Sequence, residues 1–257
     1  MIVSMRFIVD FPIFIALLSL VSLWLAAQAG TMLRKAMRPP SENEQKDFEI
    51  VLAGILTMLG LVIGFGFSMV VNRYDQRQNH EATETNAIGT EYFRTGLFPA
   101  AESAQLRQLL REYLEQRILY YEARDEHQLQ NIELRTSQLE KDLWSTTQAA
   151  VARQPNAVGA VVAVGMNEVF DSRDFTQAAW RNRLPLPAWE ILTAMAIFSN
   201  FLIGYSSNRS NIRLFLALPL AVCIAFFLIA EIDSPRHGLI RVVPQDLVTL
   251  SQSLKSF

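Results

Sequence analysis

The chain has 257 residues, 51% of them hydrophobic, and a formal net charge of −2. A near-neutral chain lacks the basic face that nucleic-acid binding needs, so no nucleic-acid partner is expected. Cys223 is the only cysteine, which excludes an intrachain disulfide and leaves the redox compartment open.

The apolar residues fall in blocks. Phe11 to Gly30 reads FPIFIALLSLVSLWLAAQAG and carries no charge. Ile50 to Val71 is a second uncharged run. Ala188 to Tyr205 is a third, interrupted only by Glu190, and Leu214 to Ala230 is a fourth. A helix needs about 20 apolar residues to cross roughly 30 Å of hydrocarbon. The pattern predicts a first transmembrane pair within 1–71 (spans 11–30 and 50–71) and a second pair within 188–231, closed by a hairpin around SSNRSNIR. The first run has a rival reading, because Ala27-Gln28-Ala29 has the small-x-small form of a signal-peptidase site. Asp10, Pro12, a single basic residue at Arg6 and the length of the apolar stretch favour an uncleaved membrane helix.

Four spans put segment 72–187 and the C-terminal segment 232–257 on one side. The short loops opposite carry Arg34, Lys35, Arg38, Lys46, Arg209 and Arg213. By the positive-inside rule, local charge leans toward cytoplasmic short loops and an external large segment.

Segment 72–187 is polar and predicted helical throughout. Leu106, Leu109, Leu110, Tyr113, Leu114 and Ile118 recur at helical spacing. Leu129, Ile132, Thr136, Leu139, Leu143 and Ala150 form a second stripe. Val158, Val161, Val162, Gly165 and Val169 form a third, after Pro155. Breaks are expected at Asp125-Glu126 and Gln154-Pro155. No stretch alternates as a half-buried strand does.

Catalytic signatures are missing. His80, His127 and His237 are scattered, and HExxH, CxxC, GxSxG and the P-loop pattern are absent. GFGF at Gly64–Phe67 lies inside an apolar helix, without the lysine or strand of a phosphate loop. The expectation is no enzyme, no cofactor and no metal site.

The second span carries the functional signal. Thr57, Leu61 and Phe65 fall at i, i+4 and i+8 on one face, and Ser68 and Asn72 continue the stripe. Arg73, Asp75 and Arg77 end it as a charged mouth. Gly54, Gly60, Gly64 and Gly66 lie along the same helix, and small residues let helix backbones approach closely in a bilayer. Two readings stand. The helix is a packing element, or it is the wall of a pore whose apolar constriction gates by dewetting. In the second reading Thr57, Leu61 and Phe65 form the neck, and Gly64, Ser68 and Asn72 line the pore or its vestibule.

GFGFSMVVNRYDQR resembles the end of the second transmembrane helix of the bestrophin ion channels. RYDQRQNHEATETNAIGTEYFR (Arg73–Arg94) and EIDSPRHGLIRV (Glu231–Val242) are similar to the bacterial bestrophin-like family. The resemblance implies an all-α membrane protein with four transmembrane helices and a helical extramembrane domain. It implies a homo-oligomer, a pentamer, embedded in lipid of a bacterial inner membrane, passing small inorganic ions through a central pore. It sets the neck at Thr57, Leu61 and Phe65, a helix-end arginine at Arg73 and an aromatic at Tyr74. It also puts 72–187 in the cytoplasm, against the charge signal.

The chain departs from that family in three places. Only one aromatic precedes Asp75, Thr57 replaces a bulky neck residue, and Glu231 and Asp233 stand where animal bestrophins have an acidic calcium-binding run. Calcium gating and anion selectivity therefore do not carry over. The charges between Arg73 and Arg94 are too many for a dry helical core. They form a solvated surface, or an inner mouth and subunit network made by Arg73, Tyr74, Asp75, Arg77, Glu84, Asn86 and Arg94. The alternative to a channel is a non-conducting membrane sensor or scaffold whose helical domain binds a protein partner.

Overall fold

In hydrocarbon a backbone must satisfy its own polar groups, so an uncharged run of this length folds as a helix. The computed structural model describes residues 11–37, 41–206 and 212–255. Among them every regular element is helical: α1 Pro12–Ala36, α2 Glu42–Arg94, α3 Ala100–Glu122, α4 Glu126–Arg153, α5 Ala157–Arg181, α6 Leu186–Ser206, α7 Ile212–Asp233 and α8 Gln245–Leu254, with a 3-10 turn at Thr95–Leu97. Among the described residues four stretches are long and apolar enough to cross a membrane. Arg38 and Arg209, counted above for topology, and Arg6 and Asp10, cited for the first span, lie outside the described residues.

The chain divides into two units. One comprises the described parts of 1–73 and 183–241, the other those of 74–182 and 242–257. The C-terminal segment is thus shared: its first ten residues go with the membrane unit and α8 goes with the helical one.

In the membrane unit α1 packs along α6 and α7. The contact is a small-residue seam. A Cβ on Gly30 would overlap the carbonyl oxygen of Phe201, and one on Gly204 would overlap that of Ala27. Each backbone passes where the other helix offers only hydrogen. Ala27, part of the small-x-small signal, is fully buried there. Arg34 closes the end of the seam by donating to the carbonyl oxygens of Tyr205, at 3.0 Å, and Ser206. These belong to the last turn of α6, whose carbonyls have no partner within the helix. At Gly66 of α2 a Cβ would stand 3.2 Å from Leu192 of α6 and 3.5 Å from Ile229 of α7.

The turn after α7 is held by carboxylates. Glu231 accepts from the backbone N–H of Leu239, and Asp233 accepts from that of Leu184 at 2.8 Å. Both side chains are buried. Each carboxylate thus has one oxygen on a backbone amide.

In the helical unit the predicted stripes form the core. Leu106, Leu110, Tyr113 and Leu114 of α3, Ile132, Leu139, Leu143 and Ala150 of α4, and Val162, Met166 and Val169 of α5 are buried together with Ile88 and Tyr92 of α2. Val161 is the exception; it is exposed because it sits beside, not on, the buried line through Val158, Val162, Gly165 and Val169. The predicted breaks are real helix ends. Asp125 caps α4 by accepting from the Gln128 N–H at 3.0 Å, and Asn156 caps α5 by accepting from that of Gly159 at 3.2 Å.

Candidate functional site

An α-helix turns about 100° per residue, so residues three and four apart share a face. On α2 the buried positions within the membrane unit are Leu59, Gly66 and Val70. Thr57, Leu61, Gly64, Phe65, Ser68 and Asn72 lie roughly opposite that line, and all six are exposed in the chain. Leu61 is 49% and Phe65 60% exposed. Gly54, Gly60 and Gly64 share this outer face, and a Cβ on any of them would meet nothing within 4 Å. Thr57 satisfies its hydroxyl on its own helix, by donating to the Ala53 carbonyl at 2.9 Å. The chain's own packing therefore uses Gly66 and leaves the other three glycines and the predicted neck uncovered.

The same spacing continues past Arg73. Asp75, Asn79, Thr83, Asn86 and Thr90 are exposed. Arg77, Glu81, Glu84, Ile88, Glu91 and Thr95 are buried. The three charges at the end of the span do not form one mouth: Asp75 is exposed, Arg73 is half-buried and Arg77 is almost wholly buried. Glu84 is not at a surface where it could bridge subunits. It is sealed inside the helical unit because an internal cation awaits it there.

That cation is Arg117. Its guanidinium binds both carboxylate oxygens of Glu84, and both side chains are 0% exposed. Tyr121 and Thr176 each donate to Glu84 Oε2 at 3.1 Å. The Arg117 guanidinium also lies 4.4 Å from the centre of the Tyr120 ring. Arg117, Tyr121 and Thr176 thus share the cost of burying the carboxylate. Burial and the Glu84 charge push the Tyr121 hydroxyl well above its ordinary range, so it stays a donor. Glu81 is used differently. Its carboxylate accepts from the Leu247 N–H at 3.0 Å, at the N-terminal end of α8, where helix amides and dipole favour an anion. Beside it, a Cβ on Gly89 would stand 3.2 Å from Leu250 of α8, so Ala87-Ile88-Gly89 is a site of close packing within the unit. Tyr74 packs against the same core.

The remaining predicted residues, Asn86 and Arg94, line a groove of about 450 Å³ between α2 and α5, with Thr83, Thr90, Glu168 and Phe175. Arg94 donates to Glu168 at 2.8 Å and stands 3.8 Å from Glu91. Glu91 is fully buried against Gly165, where a Cβ would clash with its carboxylate. Burial, with Arg94 opposing and Glu168 adding, pushes Glu91 up to about 8. Among the described residues no group of three or more His, Cys, Asp or Glu is placed to hold a metal ion.

The family model for the bestrophin-like domain matches residues 13–247. The chain belongs to the bestrophin-like family. It is an all-α membrane protein with the bestrophin fold. A crystal structure of a bacterial bestrophin homologue from Klebsiella pneumoniae superposes with a TM-score of 0.63 at 14% identity, covering 95% of this chain and 97% of that one. A variant of that homologue gives 0.62 at 13% identity, with 95% and 98% covered. A further membrane-protein variant gives 0.64 at 13% identity, with 95% and 97% covered. A search of curated proteins finds no significant match.

Two structural features of this region were not read from the sequence. The Glu84–Arg117 pair joins residues 33 apart, and no local spacing marks it. The seat of α8 on Glu81 had a signal, because Leu247, Leu250 and Leu254 recur at helical spacing.

Proposed function

We propose that this bestrophin-like chain is one subunit of a homo-oligomeric ion channel, a pentamer, in which the outer face of α2 lines a central pore. The observation that carries this reading is the stripe Thr57, Leu61, Phe65, Ser68 and Asn72, which is exposed opposite the buried side of its helix. Hydroxyl and amide side chains rarely face lipid; within a membrane they face protein or a water-filled cavity. Three open glycines on the same face permit another helix to approach closely. A ring of these helices has an apolar neck at Leu61 and Phe65 and a polar vestibule beyond Asn72. Small ions pass when the neck is wet and stop when it dries.

The setting is a bacterial inner membrane with the helical unit in the cytoplasm, as the resemblance implies. Single cysteines at Gln130 and Asn211, in a chain lacking Cys223, report this with a membrane-impermeant thiol reagent on spheroplasts. Labelling at Asn211 alone is the expected outcome; labelling at Gln130 alone reverses the orientation.

One observation favours the second reading, a non-conducting scaffold. The groove between α2 and α5 has the volume of a ligand or peptide site. An oligomer structure separates the two readings. A central axis flanked by Phe65 supports the channel, whereas a dimer with α2 against lipid supports the scaffold.

A further inference from the structure

We propose that Asp75 sets the charge selectivity of the pore and makes it a cation channel. This deepens the channel reading and rests on it. Counted along the sequence, the end of the second span is basic, with Arg73 and Arg77 flanking a single Asp75. Counted around the helix, it is acidic. Two residues along an α-helix is a rotation of about 200°, so each arginine points roughly 160° away from Asp75. Burial agrees with that projection. Asp75 is exposed and in register with Asn72 and Asn79, while Arg77 is 1% exposed and Arg73 half-buried.

The rest of the stripe is electrically silent. From Thr57 to Thr90 its exposed positions are threonine, serine, asparagine, glycine, leucine and phenylalanine, and Asp75 is the one ionisable residue on it. Amides and hydroxyls offer an ion both donors and acceptors, so they do not choose a sign. Beyond Thr90 the helix ends at Arg94, which is held by Glu168 and stands beside Glu91. Symmetry repeats whatever one subunit presents, so a homo-oligomer carries a ring of Asp75 carboxylates at the inner end of its neck. Such a ring attracts cations into the narrow, low-dielectric passage and repels anions. The neutral neck supplies the barrier, and the carboxylate ring decides which ions are concentrated against it.

The test uses the full chain, purified and reconstituted in planar bilayers under a potassium chloride gradient. Wild type is expected to reverse on the potassium side of zero. Asp75→Asn is expected to lose that preference, and Asp75→Lys to reverse on the chloride side. Asn79→Asp in the Asp75→Asn background returns a carboxylate one turn along the stripe and is expected to restore cation preference. That variant keeps the test decisive if Asp75→Asn assembles poorly. A conducting wild type that prefers chloride, or a preference unmoved by Asp75→Asn, overturns this proposal and leaves the pore standing. A wild type silent in bilayers and in vesicle flux overturns the pore, and the selectivity with it.

Discussion

The two halves of α2 obey one spacing and opposite polarities. Before Arg73 the inward face is apolar or small, at Leu59, Gly66 and Val70, and the outward face runs from apolar to weakly polar. After Arg73 the inward face is ionised, at Arg77, Glu81, Glu84 and Glu91, and the outward face is mostly uncharged. The rule that charge marks the surface fails in the second half. In the first half the charges stand at the exposed start of the helix, at Glu44, Lys46, Asp47 and Glu49, and none lies between Ile50 and Asn72. In the second, Glu84 is held by Arg117, Glu81 by the Leu247 amide, and Glu91 by burial that shifts its protonation. What stays constant is the outward stripe, which carries no positive charge from Thr57 to Thr90.

The largest effect is expected where the second half is most unlike the first. Glu84→Ala strands a fully buried arginine, and breaking such a pair costs about 3–5 kcal/mol. The purified variant should show a large drop in melting temperature and yield. Glu84→Leu combined with Arg117→Met should recover most of the loss, because a buried pair replaced by apolar residues is often close to neutral. If the single variant melts like wild type, the inward charges of α2 are ornament.

The next effect sharpens the comparison within the membrane unit. Gly204→Leu drives a side chain into the Ala27 backbone and should destabilise the chain by about 1–3 kcal/mol or more. Gly60→Leu meets nothing within the chain, so it should leave the chain's melting temperature unchanged. It should instead lower the oligomer mass measured in detergent and in lipid. Equal oligomer mass for wild type and Gly60→Leu would mean that the open glycines of α2 are not an assembly face.

A further effect is a pH dependence. Glu91 sits in the folded chain at about 8, against an ordinary value near 4.5, so the folded state holds a proton that the unfolded state has released. The stability this contributes is complete below the ordinary carboxylate value and is lost as pH rises through about 8. Melting temperature should therefore fall between roughly pH 5 and 8, and Glu91→Gln should flatten that slope. An unchanged slope in the variant places the titration elsewhere.

Much of the fold was legible. Uncharged runs specify membrane helices because few other structures survive in hydrocarbon, and the stripes in α3, α4 and α5 specify faces because core packing repeats every three to four residues. The outward stripe on α2 was legible for the same reason. The Gly30–Gly204 seam was not, because small residues occur in all four spans and only tertiary structure chooses a pair. The burial of Glu84 was not legible, because it depends on Arg117, Tyr121 and Thr176, which sequence spacing does not reveal. Asp75 was grouped with its neighbours in a mouth because charge was counted along the chain instead of around the helix.

The central claim is that the outward stripe of α2 is a pore wall, and Phe65→Ala tests it most directly. Phe65 is largely exposed in the chain, so its truncation opens no internal cavity, and the cost to the chain should stay within about 0.5 kcal/mol, as at other surface positions. Removing the ring should widen and wet the neck, and planar-bilayer conductance should rise well above wild type at an unchanged melting temperature. A folded, fully assembled Phe65→Ala protein as silent as a silent wild type would contradict the claim.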